Sequence, residues 1–187
     1  MTREFTTKSA EETIALGREL VPLLTPPKID GQPVAALVEL LKSPEDGTRM
    51  LAKVELGKHG ASEVISAVDA WAAGLEKNDP AYEHAMVEAL WVHQWMNVVD
   101  TKLLENRLKS PDFHTRAAAT RVLCYWRDRV PGALELLRTM ATDESPRVRL
   151  EAVRTCSFFP EAKAAHVALA SLKFPADKIF SSPPNAW

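Results

Sequence analysis

Cysteine is nearly absent from this sequence: Cys124 and Cys156 are the only two in 187 residues. Small disulfide scaffolds are far denser in cysteine, and neither residue belongs to a Cys-x-x-Cys pair or precedes a histidine. Zinc-ribbon, thioredoxin-like and covalent-haem motifs are thereby excluded, and both side chains read as buried thiols. Glycine is scarce too, with seven residues and no cluster. Neither a phosphate loop nor a Gly-x-Ser-x-Gly nucleophile turn is present. No apolar run is long enough to span a bilayer, so no membrane insertion is expected. The first twenty residues, MTREFTTKSAEETIALGREL, carry charges on both sides of a short apolar stretch and do not read as a signal peptide. A formal net charge of -2 and a pI of about 6.2 offer little of the phosphate neutralisation that dominates non-specific DNA affinity. No nucleic-acid partner is expected.

The five histidines do not combine into a metal motif. His59, His84, His93, His114 and His166 are scattered, and no His-x-x-x-His set appears. His84 and Glu88, one turn apart, read as a solvated helix pair. No catalytic, cofactor-binding or metal-ligating residue is expected.

What the chain does have is an internal repeat. Aligning Arg49, Tyr82, Arg116 and Arg149 gives intervals of 33, 34 and 33 residues. Ala52, Ala85, Ala119 and Ala152 then stand three residues on, and Leu56, Ala89, Leu123 and Cys156 seven residues on. Small residues at plus three let a neighbouring helix approach, and plus seven continues the same face. Ser43-Pro44, Asp79-Pro80, Ser110-Pro111 and Ser145-Pro146 read as N-caps followed by proline in the first helical position. They predict second helices near 44–58, 80–97, 111–128 and 146–158. First helices are predicted near 33–42, 61–77, 101–109 and 131–141, with a fifth near 161–173. Asp100 reads as a further cap, with Val99 stapled onto Leu104. Strand signals are missing. The fold class is all-α, an α-solenoid of about four to five helical hairpins of HEAT type with a period of about 33 residues.

The ends differ from the middle. Ser9 with Glu12 forms a capping box for a helix near 10–20, within an N-terminal lead-in of residues 1–21. Residues 22–32 read as a proline-rich linker, 33–173 as the repeat domain and 174–187 as a proline-rich tail. The fifth unit has a first helix with no second helix to cover it.

The string EALWVHQWMNVVD raises the question of a pocket, since it holds Trp91, His93 and Trp95 within five positions. Trp91, Tyr125 and Phe158 share offset plus nine, and Val92, Trp126 and Phe159 share plus ten. Recurrence at one offset suits packing between neighbouring units, so Trp91, Tyr125, Trp126, Phe158 and Phe159 are expected to be repeat-packing residues. His93 and Arg127 share plus eleven, and Trp95 and Arg129 plus thirteen. These four are the candidate interaction surface: an aromatic-edged polar ridge, or else cations that cap helix C-termini.

The strings LLTPPKIDGQPVAALVELLKSPED, YEHAMVEALWVHQWMNVVD and RAAATRVLCYWRDRVPGALELL give the chain a resemblance. Over roughly residues 22–175 it resembles the HEAT-like segment of PVC-type haem-binding, membrane-bound dehydrogenase-domain proteins of bacteria. In that family a β-propeller precedes the repeats and a c-type cytochrome domain follows them. Neither is present here, so no quinone, sugar or haem site carries over. The resemblance implies a non-catalytic scaffold, with dehydrogenase activity residing in other domains. The implied partners are proteins, among them the propeller or cytochrome c domains, and the implied location is the periplasm or cell envelope. The alternative is a DNA-binding HEAT-like protein of the alkylpurine glycosylase type.

Overall fold

The computed structural model describes residues 6–24, 27–160 and 162–174. Among them are ten α-helices and no strand. In chain order these are α1 (Ala10–Leu24), α2 (Val34–Glu39), α3 (Asp46–Leu56), α4 (Ala61–Ala73), α5 (Tyr82–Trp95), α6 (Thr101–Leu108), α7 (Phe113–Trp126), α8 (Ala133–Met140), α9 (Pro146–Cys156) and α10 (Ala162–Leu169). Short 3-10 turns, Leu40–Lys42 and Ala170–Lys173, extend α2 and α10. From α2 onward the helices alternate as first and second members of four hairpins, with α10 the first member of a fifth. The architecture is an α-solenoid.

At its start, α1 takes the Glu12 amide onto Ser9 Oγ at 3.2 Å, while the Glu12 carboxylate accepts from the Lys8 amide. It runs on to Leu24, so the expected linker at residue 22 begins later, and residues 25–26 lie outside the described part. Apart from Phe174, the expected tail also lies outside it.

The second helices carry the repeat. Ala52, Ala85, Ala119 and Ala152 are all buried, as are Leu56, Ala89, Leu123 and Cys156. Offsets three, seven and ten are spaced four and three residues apart, which keeps them on one face of a helix. That face fills two apolar clusters. One gathers Leu37, Leu41, Leu56, Val64, Val68 and Trp71 beneath the first two hairpins. The other gathers Leu104, Leu108, Leu123, Trp126, Leu137 and Val167 beneath the rest. Leu103 on α6 packs against both, so the clusters meet at the joint between the second and third hairpins.

The helix starts differ from expectation in an informative way. Ser43, Asp79 and Ser110 are not N-caps; the caps are Glu45, Ala81 and Asp112. Instead each side chain accepts the amide two residues on: Glu45 N to Ser43 Oγ at 3.2 Å, Ala81 N to Asp79 Oδ1 at 2.8 Å and Asp112 N to Ser110 Oγ at 3.1 Å. This local turn wraps the proline and delivers the chain into the helix. In the fourth unit Asp143 plays that part, accepting from the Ser145 amide at 2.8 Å. Ser145 is the N-cap position ahead of Pro146, yet its side chain makes no capping bond. Asp100 does cap α6, accepting from Leu103 N at 2.9 Å.

The anchor arginines close the same loops. Arg49, Arg116 and Arg149 each donate to the carbonyl six residues back, on Ser43, Ser110 and Asp143, at 2.7, 3.0 and 2.9 Å. Two of them also reach the next unit. Arg49 Nε donates to Glu88 of α5 at 2.8 Å, and Arg116 forks onto both oxygens of Asp143 at 2.7 and 2.9 Å. Arg149 lies over the Phe174 ring at 4.3 Å. Tyr82 stands at the second anchor with Arg107 over its ring at 5.7 Å, and Arg107 and Ser110 meet Glu83 instead.

Glu88 overturns the reading of His84 and Glu88 as a solvated pair. Its side chain is 0% exposed. It accepts from Arg49 at 2.8 Å and from Lys53 at 2.5 Å, with His84 Nε2 at 3.6 Å. Both strong partners come from α3, 39 and 35 residues away. Removing one member of a buried pair strands the other charge, at a cost of about 3–5 kcal/mol. Glu88→Ala is therefore expected to lower the unfolding free energy by about that amount. Lys42→Ala, which removes an exposed pair with Glu39, should cost about 1 kcal/mol or less; urea titration compares the two.

Asp112 gives a pH signature. Burial raises its carboxyl, but hydrogen bonds from the His114 and Thr115 side chains and amides outweigh this and hold it below its ordinary value. Its folded-state pKa is depressed, so its contribution is present above the unfolded pKa and lost as pH falls through the folded one. Asp112→Ala should cost about 1 kcal/mol at neutral pH. The gap from the parent protein should narrow on acidification through the carboxylate range, as followed by urea unfolding across pH.

Candidate interaction surface

The residues at offsets one, five, nine and thirteen share one side of each second helix, since steps of four stay on one face; most of them face outward, while Val87 and Ala117 are buried. Met50 and Val54 stand there on α3, and Trp91 and Trp95 on α5. Arg121, Tyr125 and Arg129 follow on and just after α7, then Leu150, Arg154 and Phe158 on and after α9. Met50, Val54, Trp95, Tyr125, Leu150 and Phe158 are all exposed.

This placement corrects part of the sequence reading. Tyr125 is 57% exposed and Phe158 50% exposed, so neither is a packing residue. A shared offset shows that residues occupy the same face; it does not show which face. Offset ten extends the inward run of three and seven, and there Val92 and Trp126 are buried while Phe159 packs against the core. Offset nine lies off that run. Trp91 is intermediate, one edge against the core and its ring beneath the Lys53 ammonium at 5.0 Å.

The proposed ridge of His93, Trp95, Arg127 and Arg129 also divides. His93 is 2% exposed and turns inward, its Nε2 2.9 Å from Asp69 Oδ1. Offset eleven is one position past the buried ten, and α4 closes over it. Arg127 is half-buried, donating to the Cys124 carbonyl at 2.9 Å with its guanidinium 5.6 Å from the Phe158 ring. Arg129 reaches back one unit to the Asn97 carbonyl and Oδ1 at 3.3 and 2.8 Å. Asn97 takes a left-handed φ of 58° and ends α5, with Asn97 and Val98 amides donating to Gln94 and His93 carbonyls. Arg129 thus fastens a helix end in the preceding unit. Trp95 alone of the four presents an open aromatic face.

Between α3 and α5 the outward ridge opens into a cleft of about 430 Å³ lined by Asp46, Met50, Lys53, Trp91, Gln94 and Trp95. The Trp95 indole lies close over Gly57: a Cβ built there would fall 2.7 Å from Trp95 Nε1. Gly57 has ordinary helical angles, φ -62° and ψ -14°, so space rather than backbone freedom calls for glycine. Lys53 forms one wall while its charge is held by Glu88. Arg121 and Arg154 on the ridge are likewise met by Glu151, at 2.6 and 3.4 Å. The ridge therefore combines aromatic and aliphatic area with guanidinium groups of which Arg121 and Arg154 are already paired with a carboxylate. Trp, Tyr and Arg are the residues most enriched where protein interfaces carry their binding energy.

Residues 101–180 match the family of HEAT repeats. The match begins at α6 and takes in the third, fourth and fifth units, and the all-helical architecture agrees with it. HEAT repeats generally mediate protein interactions, and the fold is typically non-catalytic. Comparison with curated proteins and with solved structures gives no match.

The inward and outward assignment is open to a paired measurement. Trp126→Ala should cost about 3–5 kcal/mol, as for large aromatics cut from cores. Its sequence neighbour Tyr125→Ala should stay within about 0.5 kcal/mol of the parent protein. Equal losses in thermal or urea unfolding would reverse the assignment.

Proposed function

We propose that the chain is a non-catalytic interaction scaffold whose second-helix ridge docks a protein. One observation supports this above the rest: each second helix exposes at least one large apolar side chain on its outward side, Met50 and Val54, Trp95, Tyr125, then Leu150 and Phe158. Repetition along a stack gives an extended surface, the form on which solenoids bind partners. The cleft beside Trp91 and Trp95 is the anchor point, because aromatic side chains in a partly enclosed pocket contribute most per residue.

The resemblance to PVC-type dehydrogenase-domain proteins suggests what docks there. In this reading the scaffold belongs to a larger redox protein and holds its propeller or its cytochrome c domain. A DNA-binding role is less well supported, since Arg49, Lys53, Arg116, Arg121 and Arg154 already pair with carboxylates and release few counterions on meeting phosphate.

Size exclusion with light scattering and calorimetry test the docking against purified propeller and cytochrome c domains of such a protein. One of the two is expected to bind. Trp95→Ser combined with Tyr125→Ser should weaken binding at least about tenfold, the loss of about 1.4 kcal/mol, with the unfolding midpoint unchanged. Binding to neither domain would reject the redox-partner reading. A mass well above 20.7 kDa that the same double variant restores to the monomer would assign the ridge to self-association.

A further inference from the structure

At the joint between the second and third hairpins, three helices bring together side chains that the docking surface does not use. Asp69 comes from α4, His93 from the last turn of α5, and Asp100 from the residue that caps α6. A ring nitrogen of His93 and one carboxylate oxygen from each aspartate lie within 4.8 Å of one another. We propose that Asp69, His93 and Asp100 bind one divalent transition-metal ion of the Zn²⁺ class.

Charge is the first argument. Glu88, Asp143 and Glu151 are each met by arginine or lysine. At this joint, among the described residues, Asp69 has only the imidazole as partner and Asp100 has no cationic partner. Two carboxylates facing a single imidazole leave net negative charge beside a nearly fully buried ring, and a divalent cation neutralises it.

The imidazole is the second argument. His93 is 2% exposed, and its Nε2 faces the Asp69 carboxylate at 2.9 Å. Its Nδ1 is buried with no hydrogen-bond partner. Without a partner on Nδ1, no second contact fixes which nitrogen carries the ring proton. Moving that proton to Nδ1 frees the Nε2 lone pair for a metal, and one nitrogen stays unpartnered in either state. The ion therefore adds no new unsatisfied group.

Ligand type and access select the ion. One imidazole with two carboxylates is a borderline set that suits Zn²⁺, Co²⁺ or Mn²⁺ better than Ca²⁺. Bonds of about 2.0–2.2 Å call for a closer cluster than the 4.8 Å limit. The Asp69 side chain is 55% exposed and free to swing inward. Asp100 Oδ1 already caps Leu103, while its Oδ2 takes no hydrogen bond among the described residues. With three protein ligands and a solvent-facing side, water completes the coordination. The site also lies in the unit that has Tyr82 in place of the anchor arginine.

The test titrates chelator-treated full-length protein with Zn²⁺ by calorimetry and with Co²⁺ by visible absorption. One equivalent should bind saturably, Co²⁺ should develop ligand-field bands, and the thermal midpoint should rise with metal. Asp69→Asn changes an exposed side chain, and Asp100→Asn keeps an acceptor for the Leu103 amide, so both should fold, as circular dichroism will verify. Each should weaken binding at least about tenfold and lose the thermal rise; His93→Gln should abolish binding. Absence of saturable binding in the parent protein would overturn the proposal. So would undiminished affinity in the two folded aspartate variants, which would place the ion elsewhere on the protein. Neither outcome bears on the docking ridge, whose residues are untouched.

Discussion

A guanidinium in the first turns of a second helix does two things at once. It donates to the carbonyl six residues back, closing the loop that joins the two helices of its hairpin. In the first and third units it also reaches a carboxylate of the following unit. A helical hairpin cannot bury its apolar face alone, so a solenoid is stable only as far as neighbours stay in register. Apolar faces slide past one another at small cost. The bidentate contact from Arg116 to Asp143 does not, because both hydrogen bonds fix one geometry. Asp143 shows how economical the arrangement is: its carboxylate receives Arg116 and the Ser145 amide while its carbonyl receives Arg149. One residue sets a turn, a helix start and the joint between two hairpins.

With register fixed this way, the two ridges of each second helix are free to differ. The inner one needs small residues where helices cross and larger ones at the edges, which is the alanine, leucine and tryptophan pattern seen at offsets three, seven and ten. The outer one packs at Trp91, Val87 and Ala117 and is otherwise largely exposed. Exposed Tyr125 and Phe158 on it are not explained by burial in the core, and large apolar side chains stand exposed on each of the four second helices.

Much of this was legible in the chain. The four anchors, the alanines and the absence of strand patterning pointed to stacked hairpins, because local periodicity and stacking follow the same rule. What was not legible depends on distances that no local pattern encodes. Glu88 looks like half of an i, i+4 pair with His84, yet its partners come from a helix 35 to 39 residues earlier. Tyr125 and Trp126 are neighbours of similar character, and only the run of offsets three, seven and ten shows that the second faces inward. Ser43 and Ser110 precede prolines in the manner of caps, but they hold turns two residues upstream of the true cap. His93, grouped with Arg127 by offset, is drawn inward by an aspartate of another helix. The anchors Arg49 and Arg116 could have signalled the buried carboxylates, since a repeated arginine within an apolar pattern needs a repeated partner.

The close approach of Gly57 to Trp95 means that the cleft can be reshaped from beneath. A methyl group at residue 57 would change no lining residue and leave the hairpin folded, because the helical backbone there tolerates any residue. It would, however, evict the indole from its seat. Two descendants of this chain could therefore carry identical surface inventories and recognise different shapes. The control over what the aromatic pair admits rests with a residue that never meets the guest.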